Sequence, residues 1–387
     1  MRKIYLDNAS TTFPKPEQVT KSVMEYMMGS GANINRGCYE SAYDVEELVF
    51  ETRELLCELF HGSDCRNVIF TKNVTESLNV ILKGFLKEGD HVLVSSMEHN
   101  AVMRPLVQLE KNGCSFTRIL CEEDGALQMD DLDAYVRENT RAVVMMHASN
   151  VCGTVMPLKD MGEFCQRNNL KFIVDCAQTA GVFDVDMQEM KIDALAFTGH
   201  KGLLGPQGIG GFILTDEMVK IIEPLIVGGT GSISHTEEIP EFMPDRFESG
   251  TMNLPGIIGL REGLLWLKEQ GMDAVRNHEL QLTERFLDGL VKLEENGHIR
   301  IVGKRDCNNR TGVISIQTLK KELSEVAYEL DAKFGIMTRV GLHCAPSAHK
   351  TLGTYPTGTI RFSFGWSNTE EEVDVTLKAL EEICYGI

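Results

Sequence analysis

Between about residue 60 and residue 215, short apolar runs rich in β-branched residues alternate with longer stretches of helical spacing. The runs fall at Asn67 to Phe70, Val92 to Ser95, Ser115 to Ile119, Ala142 to His147, Phe172 to Val174, Ala194 to Phe197 and Gly210 to Leu214, with a helical pattern over roughly 40 to 60 before them. Such alternation predicts an α/β fold on a mostly parallel sheet. A stretch punctuated by Gly and Pro, from Gly228 to Pro255, then gives way to a long helical pattern from Ile257 through Leu293. Strands are expected near Ile299 and Val313, and a last helix from Thr369. The change of pattern predicts a large domain over 15–255 and a smaller α+β domain over 256–387, completed by an N-terminal arm, 1–14. There is no internal repeat and no low-complexity tract.

Composition narrows the picture to a globular protein. With 387 residues, 43% hydrophobic and 25% charged, the chain is long enough for a large cored domain and a smaller one. No segment is apolar enough to span a membrane, and the start, Met1-Arg2-Lys3-Ile4, lacks the apolar core of a signal peptide. Eleven cysteines without paired zinc-type spacing read as reduced thiols, so a cytoplasmic protein without a metal site is expected. The formal net charge of −19 opposes nucleic-acid binding, which needs a basic face.

Candidate chemistry gathers after the sixth apolar run, at Thr198-Gly199-His200-Lys201-Gly202-Leu203-Leu204-Gly205. Hydroxyl, imidazole, amine and glycines arrive there together. Lys201 is placed to attach covalently to the aldehyde of pyridoxal 5'-phosphate, with Thr198 and His200 donating to phosphate oxygens. An exposed loop lysine is the alternative. Upstream, Phe172-Ile173-Val174 ends in Asp175, where a parallel strand opens into its loop and where ligand groups belong in open α/β sheets. A carboxylate there suits the pyridinium nitrogen, and the competing role is a cap on the following segment. Asn73 followed by Glu76 is a helix start signal. The free amides of Val74 and Thr75, the Thr75 hydroxyl and the helix dipole would receive the phosphate. Gly228-Gly229-Thr230-Gly231-Ser232 opens no strand-turn-helix unit and carries no dinucleotide reading.

Nearly the whole chain resembles the class V aminotransferase family of fold-type I PLP enzymes, and within it the cysteine desulfurases. Tyr5-Leu6-Asp7-Asn8-Ala9-Ser10-Thr11-Thr12 is similar to the family's N-terminal signature, and Asn33-Ile34-Asn35-Arg36-Gly37 falls where the family has an active-site loop. The resemblance implies that His99, in Glu98-His99-Asn100-Ala101, stacks on the cofactor ring. It implies that Asn150 reaches the cofactor hydroxyl and the substrate, that Gln178 bonds the ring hydroxyl, and that Thr251 serves the phosphate across a homodimer interface.

Arg339-Val340-Gly341-Leu342-His343-Cys344-Ala345-Pro346 resembles the nucleophile loop of the desulfurases, which makes Cys344 the sulfur acceptor. A buried, inert thiol is the alternative fate of a cytosolic cysteine. Arg361 follows in Gly358-Thr359-Ile360-Arg361, where the family binds the substrate carboxylate; the short spacing from Cys344 resembles the short-loop group. A fixed guanidinium can hold a carboxylate by two hydrogen bonds, and His343 is a candidate to deprotonate a thiol. Three positions depart from the family pattern: Leu342 for a first histidine, Asn35 for a histidine and Asn73 for a glycine. The expected function is conversion of L-cysteine to L-alanine with a persulfide on Cys344, passed to a sulfur-acceptor protein for iron-sulfur cluster or thio-cofactor synthesis. The open alternatives are selenocysteine lyase or another PLP-dependent C–S lyase, and a cofactor-free binding protein on the same fold.

Overall fold

The computed structural model describes residues 3–34, 37, 39–233 and 235–386. Asn35 and Arg36 of the expected active-site loop, like Met1 and Arg2, lie outside the described residues. In chain order the first elements are β1 (Ile4–Tyr5), α1 (Glu17–Met28), α2 (Glu40–Leu59), β2 (Val68–Thr71), α3 (Val74–Phe85), β3 (His91–Ser95), α4 (Asn100–Glu110), β4 (Ser115–Ile119), β5 (Thr140–Met146), α5 (Leu158–Arg167), β6 (Lys171–Asp175), β7 (Ala194–Thr198), β8 (Gly210–Leu214) and α6 (Asp216–Ile221). They are followed by α7 (Leu254–Gln270), α8 (Met272–Glu295), β9 (Ile299–Val302), β10 (Val313–Thr318), α9 (Leu323–Phe334), β11 (Ile336–Met337), β12 (Arg339–Gly341), α10 (Pro346–Thr351), β13 (Thr359–Ser363) and α11 (Glu370–Tyr385).

The seven apolar runs form one sheet in the order β2-β8-β7-β6-β5-β3-β4, in which only β8 runs against its neighbours. Both faces of this sheet are covered, which is why its inner strands read as apolar throughout. Successive side chains go to opposite sides. Leu93, Val143, Phe172 and Leu195 pack with Leu56 of α2, Phe164 of α5 and Leu260 of α7. Their neighbours Val92, Val144, Ile173 and Ala194 pack with Leu78 of α3 and Leu106 of α4. A buried leucine of this kind contributes about 1.5–3 kcal/mol, so Leu260→Ala would cost about 2–5 kcal/mol with the cavity included.

A second sheet, β12-β13-β10-β9, is antiparallel, and β1 pairs with β11 in parallel. Its core joins Leu6 of the N-terminal arm with Phe286 and Leu290 of α8, Ile314 of β10, Phe362 of β13 and Leu380 of α11. The arm thus completes the smaller unit. The last helix opens on a capping box between Thr369 and Glu372.

The long helical pattern from Ile257 to Leu293 is two helices. Gly271, at φ 81, ends α7 and starts α8 in a backbone conformation that a side chain would strain. Ile257, Leu260 and Leu264 of α7 belong to the core beneath the large sheet, together with residues of α2. We therefore propose that the division between the units lies at Gly271 instead of at 255/256.

Candidate active site

The six mutually parallel strands of the large sheet end on one edge, the edge where ligands bind in open α/β sheets. Asp175 is the last residue of β6 and Thr198 the last of β7, while β5 runs on into His147 to Asn150 and β3 into Glu98 and His99. One cavity is lined by Val74, His99, Asn150, Asp175, Gln178 and Lys201. The structure therefore brings together these six residues, predicted from distant parts of the sequence.

Burial and charge set the state of the two ionisable groups. Burial first, and then the Arg361 charge, against the pull of Asp175, lower Lys201 to about 8. Burial raises the Asp175 carboxyl, against the hydrogen bond it accepts from Ala177 N at 2.9 Å and the Lys201 charge. A carboxylate so placed gains by facing a cation. The Asp175 to Ala177 bond also satisfies the capping alternative, so one oxygen caps the loop and the other is left for a ligand.

The residues expected to receive the phosphate come from two segments. Asn73 Oδ1 accepts from Glu76 N at 3.0 Å and caps α3, leaving the first amides of the helix, at Val74 and Thr75, without helical partners. Glu76 returns a bond to Lys72 N, one residue before the cap. A Cβ on Gly210 would lie 2.8 Å from Asn73 Cα, so the glycine at the start of β8 lets this turn approach the sheet. Opposite, Thr198 Oγ1 and His200 Nδ1 are buried without a partner among the described residues. Thr198 pairs in register with Gly210, which abuts Asn73, so an orphaned donor neighbours the open helix end, an arrangement that fits an anion.

His99 caps α4 through Nδ1, which accepts from Ala101 N at 3.0 Å, so its proton sits on Nε2. Burial, then the Lys201 charge, lowers it to about 4 and keeps the ring neutral. Asn150 donates Nδ2 to His343 O at 2.8 Å, and its Oδ1 is buried without a partner. Gln178 donates Nε2 to Ala9 O at 3.1 Å.

Arg361 on β13 is only 1% exposed. Its Nη2 donates to Asp7 Oδ1 at 2.8 Å and Ser10 Oγ at 2.7 Å, and its Nη1 donates to Asn150 O at 2.9 Å. Nε has no partner. The guanidinium is therefore already held, and two-point binding of a carboxylate requires exchange of the Asp7 or Ser10 contact. Arg339 lies directly across the ladder from Arg361, and its Nη1 donates to the same Ser10 Oγ at 2.7 Å. Two guanidiniums against one carboxylate leave this corner positive, as an anionic substrate requires.

Cys344 is the one exposed thiol among the described residues, and it sits at φ 57. Backbone contacts pin its loop: Asn100 N donates to Cys344 O at 2.8 Å, beside the Asn150 to His343 bond. By contrast, burial raises Cys165 and Cys176 strongly and Cys121 to about 11, as expected of inert structural thiols. His343 behaves differently from the sequence expectation. Its ring is buried, Nε2 bonds Thr359 Oγ1 at 2.9 Å, and burial with Arg361 lowers it to about 2. A ring so hard to protonate is no base for the neighbouring thiol.

Thr251 lies outside the Lys201 cavity. It lines a separate cavity of about 310 Å³ between α2 and residues 230–252, whose wall Arg53 and Glu248 brace by an ion pair of 2.5 Å.

The chain matches the model of the Aminotransferase class-V family over residues 4–376. It belongs to that family. It is 33% identical to a probable cysteine desulfurase of Methanothermobacter thermautotrophicus, over 98% of this chain and 94% of that protein. To a cysteine desulfurase of Haloferax volcanii it is 30% identical, over 98% and 88%. Among solved structures, the apo cysteine desulfurase of Thermococcus onnurineus superposes with a TM-score of 0.91 at 31% identity, covering 100% of this chain and 95% of that one. Class-V enzymes are generally dependent on pyridoxal phosphate. The orphaned Thr198, His200 and Asn150 atoms and the open end of α3 fit that group.

Sequence reasoning missed Asp7, Ser10 and Arg339 as site residues. All three lie in segments that resemble the family, yet no local spacing marks them, because they meet only when β12 and the N-terminal arm reach β13.

Proposed function

We propose that this chain is a pyridoxal-phosphate-dependent cysteine desulfurase, which converts L-cysteine to L-alanine and takes the sulfur as a persulfide on Cys344. The observation that carries the reading is the placement of Cys344. An exposed thiol stands on a loop bonded by its own backbone to the segments that present His99 and Asn150 to the Lys201 cavity.

Each residue then has a task. The Val74 and Thr75 amides, Thr198 and His200 would hold the cofactor phosphate, His99 would pack on its ring, Gln178 and Asn150 would bond its hydroxyl, and Asp175 would pair with its ring nitrogen. Bound there, pyridoxal phosphate supplies an electron sink for the pair left at the substrate Cα. Arg361, aided by Arg339, holds the substrate carboxylate. The Lys201 amine takes the Cα proton, since burial lowers it towards the working pH and so makes the free amine accessible. Cys344 thiolate attacks the substrate sulfur: the S–S bond forms, the C–S bond breaks, and the electron pair passes to carbon, which takes a proton. A sulfur-acceptor protein, in the cytoplasm, would then collect the persulfide from the exposed loop.

We further propose a homodimer. Tyr39, Tyr43, Phe50 and Phe242 are exposed on or beside the cavity that holds Thr251, and an apolar rim of this size favours a second copy of the chain. In that assembly Thr251 would reach the partner's phosphate cradle.

The test is incubation of the purified protein with L-cysteine, with alanine release measured beside mass spectrometry of the thiols. Alanine and one added sulfur on Cys344 are expected, and Cys344→Ser should lose both while keeping the cofactor. The same assay with L-selenocysteine separates the lyase alternative, for which Cys344→Ser keeps its activity. A sulfur adduct confined to another cysteine would remove Cys344 from this role.

A further inference from the structure

Lys201 and Gln178 also line a second cavity of about 40 Å³, together with Asn8, Gly202 and Glu279 among others, and this cavity is partly open to solvent. That exceeds the ~10–15 Å³ a single water needs, and its walls are polar. Glu279 stands on α8, one turn from Val275 and one turn from Thr283, both of which are buried, so it lies on the inward face of that helix.

The Glu279 carboxyl has no hydrogen-bond partner and no counter-charge among the described residues, and burial alone raises it to about 8. A carboxyl half withdrawn from solvent with no partner is costly and calls for an explanation. It still keeps some accessible surface, and the cavity is where polar atoms of the site meet it. Lys201 therefore faces two small cavities, one with Asp175 and one with Glu279.

We infer that Glu279 exchanges protons with Lys201 through water held in this second cavity. The inference rests on the desulfurase reading. Each turnover frees the substrate thiol proton and puts one more hydrogen on carbon, so the net proton count is unchanged; with the thiol proton leaving at the exposed Cys344 loop, the hydrogen gained by carbon is supplied through Lys201 from solvent. In the relay the Glu279 O–H bond breaks, a water passes the proton on, and an N–H bond forms on Lys201; the carboxylate then regains a proton from bulk water. Glu279 acts through Lys201 and touches no reacting atom.

The experiment compares wild type with Glu279→Gln, which keeps shape but carries no exchangeable acid, and with Glu279→Asp, which restores one. With α-deuterated L-cysteine in H2O, the glutamine variant is expected to return at least threefold more deuterium to alanine, because Lys201 is cut off from solvent. Its kcat should fall roughly tenfold, less than the roughly 10²–10⁴ of a group that moves the proton directly. The aspartate variant should return to near the wild-type deuterium ratio. Exchange of the Cα hydrogen of L-alanine in D2O, followed by NMR, reads the same relay without sulfur chemistry. If wild type exchanges alanine but releases no sulfur, the desulfurase reading fails while slower exchange in Glu279→Gln still supports the relay. Deuterium return and alanine exchange equal to wild type in Glu279→Gln overturn the relay, whatever happens to kcat.

Discussion

Replacement of Arg361 tests whether the site reads a carboxylate by geometry or by charge alone. The guanidinium makes three hydrogen bonds at 2.7–2.9 Å, to Asp7, Ser10 and Asn150 O, from a position 1% exposed. A lysine ammonium keeps the charge but cannot span three acceptors on different elements and still face a substrate. Hydrogen bonds to charged groups contribute about 1.5–3 kcal/mol each, and truncating a desolvated charge pair costs about 2–5 kcal/mol. At about 1.4 kcal/mol per decade, the loss in kcat/KM is roughly thirtyfold to a few thousandfold. Arg361→Lys is expected to be nearly as damaging as Arg361→Ala, since the fork is what both lose. Steady-state alanine release from cysteine gives the ratio, with circular dichroism checking that the arm still folds. An exposed arginine would instead cost under about 1 kcal/mol, so a lysine variant within twofold of wild type would refute the clamp.

Other outcomes follow from the same geometry. Lys201→Ala is expected to bind the cofactor without the borohydride-reducible linkage, so persistence of that linkage would reassign the anchor. Asp175→Asn keeps the hydrogen bond from Ala177 N but cannot face a protonated ring nitrogen. Exchange of the substrate Cα hydrogen should slow at least tenfold (about 1.4 kcal/mol) with Tm nearly unchanged, and a wild-type exchange rate would sink the assignment. Stability should peak near pH 6.5. Burial holds six folded histidines below 6.5, namely His91, His99, His200 and His349 at about 4, His147 at about 3 and His343 at about 2. Below pH 6.5 the unfolded chain therefore takes up protons that the folded chain refuses, and acid destabilises. Glu98 and Glu279, raised to about 8, and Asp175, Asp193 and Asp245, also raised by burial, act in the opposite sense, because above their ordinary values only the unfolded chain releases the proton. Six groups outnumber five between pH 4.5 and 6.5, and from 6.5 to 8 the carboxyls alone remain, so Tm should fall on both sides. A Tm still rising from pH 6.5 to 8 would contradict the buried-carboxyl assignment.

Local pattern carried most of the large sheet. A run such as Phe172-Ile173-Val174 sends alternate side chains to two helical layers, so it is apolar at every position and stands out. The cap at Asn73 was legible for a related reason, because donor and acceptor lie three residues apart. The break at Gly271 was not, because one glycine inside an apolar helical spacing reads as a tolerated interruption until its φ of 81 is seen. α7 consequently looked continuous with the helix of the smaller unit, although its leucines pack under the large sheet.

The reactive corner shows a sharper limit. Cys344 and His343 are adjacent, and adjacency invites an acid-base pair. Both residues take left-handed backbone angles, however, at φ 57 and 45, with the thiol exposed and the imidazole buried against Thr359. Chain neighbours are thereby separated in environment, while Asp7, Ser10, Arg339 and Arg361, spread across the sequence, share one hydrogen-bonded cluster. What fixes the thiol near the cavity is a carbonyl of Cys344 and an amide of Asn100, groups every residue possesses. Side-chain identity can nominate a nucleophile; the aim of that nucleophile is written in backbone bonds, which leave no mark in composition or spacing.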